Sequence, residues 1–446
     1  MNKIIIINKS NQLNKFIKII MILTTVSCLF INCNALYAKK YTLKECISLA
    51  VTNNYDLLYA NYQKDYSEAN LKSAWGAYLP NLNLNASYSH ILNNTNELIK
   101  LNSYTMNALA NILIFDGFGR EANYKLAKQS VELSDLQHKY LTEQLKLNVY
   151  TQFVNITRLK ETAKARKQDI EKGKADLENL KGRVEAGIVP MYMLLSQEAE
   201  LGNKEILLLD AEIDINTAKQ NLLKIMGLDP ASDADFDETD IITDITQNEI
   251  TNFRNSIGNL QNSIDTAFKN RIDYTSSMLS KESAEISKGM SNALYYPTLS
   301  ASLGYYWQNS EFIWKDHNQA TVGLNLTVPI FNNFNTDLRV QQAELTFQQE
   351  NINLMKLEQN IRAEVQTAYF NLESREKALL ISEKALAAAE QNFQLFTEKL
   401  NIGNATITDY ITANSQYITA QINNITSIYA YISARKNLLF TIGKYE

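Results

Sequence analysis

The sequence is written twice, and this duplication constrains its fold more than any other feature. Ala50, Asn53, Asp56 and Pro80 recur as Ala267, Asn270, Asp273 and Pro297, each 217 positions later. Further on the offset is 216. Phe115, Phe118 and Ala127 match Phe331, Phe334 and Ala343, and Gly187, Ala218, Asn221 and Gly227 match Gly403, Ala434, Asn437 and Gly443. A single-residue gap thus aligns two long units. The expected organisation is a first repeat over 39–227, a second over 258–446, and between them a segment at 228–257 with eight acids and one arginine. That segment reads as a solvated acidic linker in an equatorial position.

Within each half the hydrophobic period switches twice. Residues 44–76 read as one helix. Leu82, Leu84, Ala86, Tyr88 and His90 then alternate with Asn81, Asn83, Asn85, Ser87 and Ser89, and a second run alternates through Tyr104, Met106, Ala108, Ala110, Ile112 and Ile114. The second half repeats both runs, with Leu299, Ala301, Leu303, Tyr305 and Trp307, then Ala320, Val322, Leu324, Leu326, Val328 and Ile330. A period of two with one apolar and one polar face predicts four strands of about ten residues. A proline-free helix follows each pair, near 119–186 and 336–402. Ile156, Ala163, Ile170, Leu177 and Val184 are spaced by seven, as are Leu372, Leu379, Leu386, Phe393 and Leu400, which predicts a coiled-coil seam. Each helix should reach about 100 Å. Past Gly187 or Gly403 the chain turns back through a shorter helix.

Long alternating strands bounded by Tyr78, Tyr104, Tyr295, Tyr296, Trp307 and Trp314 fit an outer-membrane barrel. Four strands cannot close one, because about eight are needed, and an open edge cannot face lipid. The barrel must be shared, and three copies in cyclic symmetry supply twelve strands. Polar faces rich in Asn, Ser and Thr would line its lumen. The fold class expected is mainly α with a β-barrel part: a long coiled-coil helical barrel plus four transmembrane strands per chain, closing as a 12-stranded barrel in a trimer. The N-terminus agrees. Residues 1–38 hold Lys3, Lys9, Lys15 and Lys18 and no acid, then the apolar run from Ile19 to Ile31, then small residues up to Ala38. This reads as a signal peptide, since 13 apolar residues fall short of the roughly 20 a spanning helix needs.

At this level the chain resembles the TolC-like outer-membrane efflux proteins, the trimeric channel-tunnels of export systems. The resemblance is carried by Leu43-Lys44-Glu45-Cys46-Ile47 leading to Asn53-Asn54, and by Tyr78-Leu79-Pro80 and Tyr295-Tyr296-Pro297 at the strand starts. Phe115-Asp116-Gly117-Phe118-Gly119 and Phe331-Asn332-Asn333-Phe334 mark the turns into the long helices. Glu185-Ala186-Gly187-Ile188 and Asn401-Ile402-Gly403-Asn404, with Thr406, Thr408 and Asp409, mark the tips. It implies a homotrimeric, passive exit duct in the outer membrane with a periplasmic helical extension, served by a periplasmic adaptor and an inner-membrane pump of a tripartite efflux or type I secretion system. It also implies that Gly187, Ile188, Gly403 and Asn404 form adaptor-contact tips and that Asp409 lies at the periplasmic aperture. The family's acid six residues after the tip glycine is matched by Asp409, whereas Met193 stands there in the first half, and Thr412 holds the place where a further acid often follows. Leu82, Leu84, Leu324 and Leu326 are the expected lipid-facing residues.

Little else in the sequence suggests chemistry. The net charge of −5 gives no basic balance for nucleic acid. Three cysteines and three histidines are too few for a disulfide framework or a structural zinc site. Gly117-x-Gly119 lacks the third glycine of a dinucleotide loop and reads as a tight turn. Asp233-x-Asp235-x-Asp237 lacks the glycine and the final glutamate of a calcium loop. His90, His138 and His317 share no ligand spacing. No nucleophile or acid–base pair suggests an enzyme, and no cofactor is expected. The competing reading is a periplasmic coiled-coil adaptor or scaffold, which would not need four membrane-length strands.

Overall fold

The computed structural model describes residues 39–93, 100–314 and 318–445. The signal-peptide reading of 1–38 lies outside the described residues. A short strand β1 (Lys39–Tyr41) leads into α1 (Leu43–Asn53) and α2 (Tyr55–Gly76), strands β2 (Asn81–His90) and β3 (Asn102–Phe115), the long α3 (Gly119–Glu185) and its return helix α4 (Met191–Ile225). The segment between the halves supplies β4 (Ala234–Phe236) and α5 (Gln247–Ile257). The first order of elements then recurs as α6 (Leu260–Asn270), α7 (Ile272–Asn292), β5 (Thr298–Asn309), β6 (Asn318–Thr327), α8 (Asn335–Asn401) and α9 (Ile407–Thr441).

Both long helices have 67 residues, so each extends about 100 Å. In the first half α1 and α2, of 11 and 22 residues, and α4, of 35, match that length end to end within one residue. The strand half of α3 packs on α2 and α7, and its far half packs on α4 and α9. Ile156, Ile170, Leu372, Leu379 and Phe393 of the heptad frame are buried. The rest of the frame is half-buried. Leu145, Val149 and Phe153 of α3 close over Cys46, Ala50, Leu222 and Met226, while Ile361, Val365 and Leu372 of α8 close over Ile264, Ala267 and Leu438.

Two expectations are corrected. Residues 44–76 form two helices, because Asn54 adopts an extended conformation (φ −64°, ψ 127°). Its side-chain oxygen accepts the N–H groups of Asp56 and Leu57, and its Nδ2 donates to Ile225 O at 3.0 Å. Arg271 repeats the break (φ −67°, ψ 127°) and donates to Thr441 O. In each half the joint between two short helices is thus stitched to the end of the return helix. The second correction concerns 228–257, which is not merely solvated. Its β4 pairs in parallel with β1, Phe236 is buried, and Asp235 is held by Lys160 at 2.8 Å and Lys219 at 3.1 Å. A Thr246–Glu249 capping box starts α5, which buries Ile250, Phe253 and Ile257 in the second core.

The four long strands form one antiparallel sheet in the order β2-β3-β5-β6. Its register aligns Leu82, Ala110, Leu303 and Val322 across all four strands, and Leu84, Ala108, Tyr305 and Ala320 in the next row of the same face. A bulge between Leu113 and Phe115 sets Phe115 opposite Leu299, so Ile114 leaves the strict alternation. At the base each half turns into its long helix through left-handed residues, Gly117-Phe118 and Asn333-Phe334.

Candidate functional site

The sheet has one apolar and one polar face, and among the described residues no helix packs over either. Leu82, Leu84, Leu324 and Leu326 are 74%, 65%, 73% and 64% exposed, and the register puts the first pair and the second on one surface. Leaving so much aliphatic area in water is unfavourable by roughly 25 cal/mol per Å², so this face calls for an apolar medium. The opposite face is hydrogen-bonded along its own rows: Asn85 Nδ2 donates to Asn107 Oδ1 at 3.0 Å, and Ser87 and Thr105 hydroxyls lie 2.6 Å apart. At the outer end an aromatic cluster collects on the apolar face. Trp307 stacks on Trp314 with centroids 5.0 Å apart, and Tyr88 meets Tyr104 at 4.9 Å. Strands β2 and β6 each leave one edge unpaired.

At the other end both hairpins turn on a left-handed glycine, Gly187 at φ 72° and Gly403 at φ 78°. A Cβ at either would meet nothing within 4 Å, so backbone conformation alone asks for glycine there. Ile188 N–H donates to Arg183 O at 2.9 Å and Asn404 N–H to Lys399 O at 2.8 Å, closing both helix ends alike. The starts of the return helices differ. Thr406 and Asp409 form a capping box, with Asp409 Oδ2 accepting from Thr406 Oγ1 at 2.7 Å and from its N–H at 3.0 Å. These bonds hold the exposed Asp409 carboxyl below its usual range. In the first half Pro190 and Met193 occupy the same positions and no side-chain cap forms. The structure therefore gives Asp409 a local task, and only one of its two oxygens performs it.

Sequence patterns missed how the hairpins meet. Asp169, only 7% exposed, takes Lys204 Nζ and Asn414 Nδ2 on one oxygen, each at 2.8 Å. Asp176 accepts the Tyr410 hydroxyl at 2.5 Å, and Lys172 Nζ sits 3.6 Å from the centre of the Phe393 ring. Burial pulls Lys172 below its usual value, against the opposing pull of Asp176 and Asp169. The polar residues flanking Ile170 were the only signal available. A second omission was legible: Tyr192, Leu195, Ile206, Leu209 and Ile213 fall at heptad spacing along α4 and are all more than half exposed. Tyr55, Tyr59, Tyr62 and Tyr66 do the same on α2. These helices, with α8, are the outermost of the chain, so coiled-coil stripes face outward on them.

A pleated sheet uncovered on both faces, continued by 67-residue helices that turn at glycine tips, is an architecture shared with known proteins. The sequence matches the outer membrane efflux protein family over residues 46–228 and 263–444, one match for each half. The chain belongs to the outer membrane efflux protein family. It is 22% identical to outer membrane protein TolC of Vibrio cholerae serotype O1 over 417 residues, 90% of each chain. It is 20% identical to outer membrane efflux protein BepC of Brucella suis biovar 1, over 90% of this chain and 85% of that one. Among solved structures, the CmeC outer membrane channel of Campylobacter jejuni superposes with a TM-score of 0.78 at 17% identity, covering 91% of this chain and 86% of the other. This efflux protein is an outer-membrane exit duct, and the periplasmic adaptor reading falls. Its family consists of channels rather than enzymes.

Proposed function

We propose that three copies of this efflux protein close a 12-stranded barrel whose apolar face meets outer-membrane lipid and whose helices extend into the periplasm as one continuous duct. The observation that carries this reading is the sheet: four strands, two unpaired edges and an uncovered apolar face in one chain. An edge in lipid leaves several backbone groups without partners, each costing several kcal/mol, and pairing β6 of one copy with β2 of the next removes every edge. Leu82, Leu84, Leu324 and Leu326 then face lipid, and the Asn- and Ser-rich face lines water. Gly187, Ile188, Gly403 and Asn404 form the periplasmic end, where a periplasmic adaptor docks and connects an inner-membrane pump that supplies the energy. Asp409 contributes one acid per chain to that entrance. The deciding experiment is the mass of the protein in mild detergent: a trimer is expected, and a monodisperse monomer with full β-content would sink the reading. For the entrance, Asp409→Ala should reduce cation preference in planar bilayers modestly at low salt, since screening lengths shrink to about 3 Å at 1 M. Identical currents across salt would remove Asp409 from that role.

A further inference from the structure

The neck, where strands become helices, carries a feature the duct architecture does not require. A cavity of about 680 Å³ opens there between the base of the sheet, the end of α7 and the first turns of α8. Thr298 and Thr327, paired across β5 and β6, lie on the polar face and line it, so it opens on the side assigned to the lumen. Met290, Leu294, Tyr296 and Pro329 supply an apolar wall. Two charged groups line the cavity. Asp116 already accepts the Arg120 N–H at 2.8 Å. Arg339 makes no hydrogen bond or ion pair among the described residues, Asp116 on the same cavity included, and it is exposed. The volume is that of a small-molecule site. The internal repeat offers a control: at the offsets that relate the halves, Arg339 corresponds to Asn123, Met290 to Ser73 and Leu294 to Ala77. At those three positions the first half carries small or neutral side chains, its own neck cation being Arg120 stacked 4.3 Å over Tyr78, so the fold does not demand Arg339, Met290 and Leu294 in the second.

We infer that this niche is a transit site for organic anions with an apolar body, Arg339 holding the anionic group and Met290, Leu294 and Tyr296 the apolar part. Guanidinium matches carboxylate, sulfonate and phosphate oxygens in a planar fork, and the aliphatic wall discriminates such molecules from inorganic anions. The assignment rests on the duct reading, because only then does the polar face carry cargo. The test uses the full chain in phosphatidylcholine nanodiscs, titrated calorimetrically with naphthalene-2-sulfonate and with neutral 2-naphthol, alongside planar-bilayer conductance of the same preparations. The sulfonate should bind saturably and the naphthol at least about tenfold more weakly, a margin of one charge-assisted contact. Arg339→Gln should weaken sulfonate binding about tenfold, Arg339→Lys less, and Met290→Ser, which installs the first-half residue, by an intermediate factor. Equal sulfonate binding by wild type and Arg339→Gln, or no binding at all, with conductance intact would overturn the niche and leave the duct standing. Absence of conductance in every preparation would instead overturn the duct reading on which the niche rests.

Discussion

Cys46 has no exposed surface and sits in the first-half core beside Ala50 and Leu222. Burial pushes its thiol up to about 12, with Glu45 and Asp240 adding to the shift. Since the thiolate is the reactive form, Cys46 should resist maleimide at pH 8 in the folded protein and react fully once unfolded; rapid labelling of the native state would place it outside the core. Asp235 behaves oppositely. Burial raises its carboxyl, but hydrogen bonds from Lys160 and Lys219 outweigh it and bring it down to about 2 from 3.8. A carboxyl lowered on folding stabilises above its unfolded value and loses that contribution as pH falls through its folded one. The melting temperatures of wild type and Asp235→Asn should therefore differ at pH 6 and converge between pH 4 and 2. A constant difference down to pH 2 would contradict the pairing. Neither partner of Asp235 was legible in sequence, because Lys160 and Lys219 lie on helices brought to β4 only by the fold.

The strands and long helices were legible because their periods, two and seven, persist over many residues and no proline interrupts them. The break at Asn54 was not. Asparagine is ordinary inside a polar helical stretch, and what ends the helix there is a bond to Ile225 O from the far end of the repeat. The acidic segment was misread for a related reason: eight acids suggest solvation, yet Phe236 and Phe253 anchor it in two cores. The strand faces give a test at this scale. Leu84 and Asn83 are neighbours on β2 that point to opposite sides of the sheet. Leu84→Lys should cost about 2–4 kcal/mol near the bilayer midplane, while Asn83→Lys should be tolerated, as read by urea unfolding in lipid vesicles. Equal sensitivity at the two positions would contradict a lipid-facing sheet.

At the scale of the whole molecule, the outward stripes offer the surface through which copies of the proposed trimer would join. Along the far half the packing order is α4, α3, α9, α8, so α4 and α8 are the two free flanks. The α4 flank carries Tyr192, Leu195, Ile206, Leu209 and Ile213, and the α8 flank carries Ile381, Ala385, Ala388 and Leu395, also at heptad spacing. Large side chains on one flank and alanines at the centre of the other fit knobs into holes. A patch that meets a different patch on the next copy makes a heterologous contact, which closes as a ring when the rotation allows. The repeat supplies the geometry, because α3 already packs on α9 within the chain as α8 would pack on the next copy's α4. Each aliphatic side chain buried in that seam contributes roughly 1.5–3 kcal/mol. Leu209 is 59% exposed in the single chain, so Leu209→Glu leaves the monomer's own packing intact while placing a charge in the middle of the seam. Native mass spectrometry from mild detergent should show the trimer of the wild type shifted toward monomer in Leu209→Glu, with helical content unchanged by circular dichroism. The same charge at Glu205, already acidic and flanking the stripe, gives the contrast: Glu205→Gln should leave the trimer intact. A Leu209→Glu protein that stays fully trimeric would show that α4 and α8 of neighbouring copies do not meet, and the ring would then have to close through the sheet edges and the tyrosine stripe of α2.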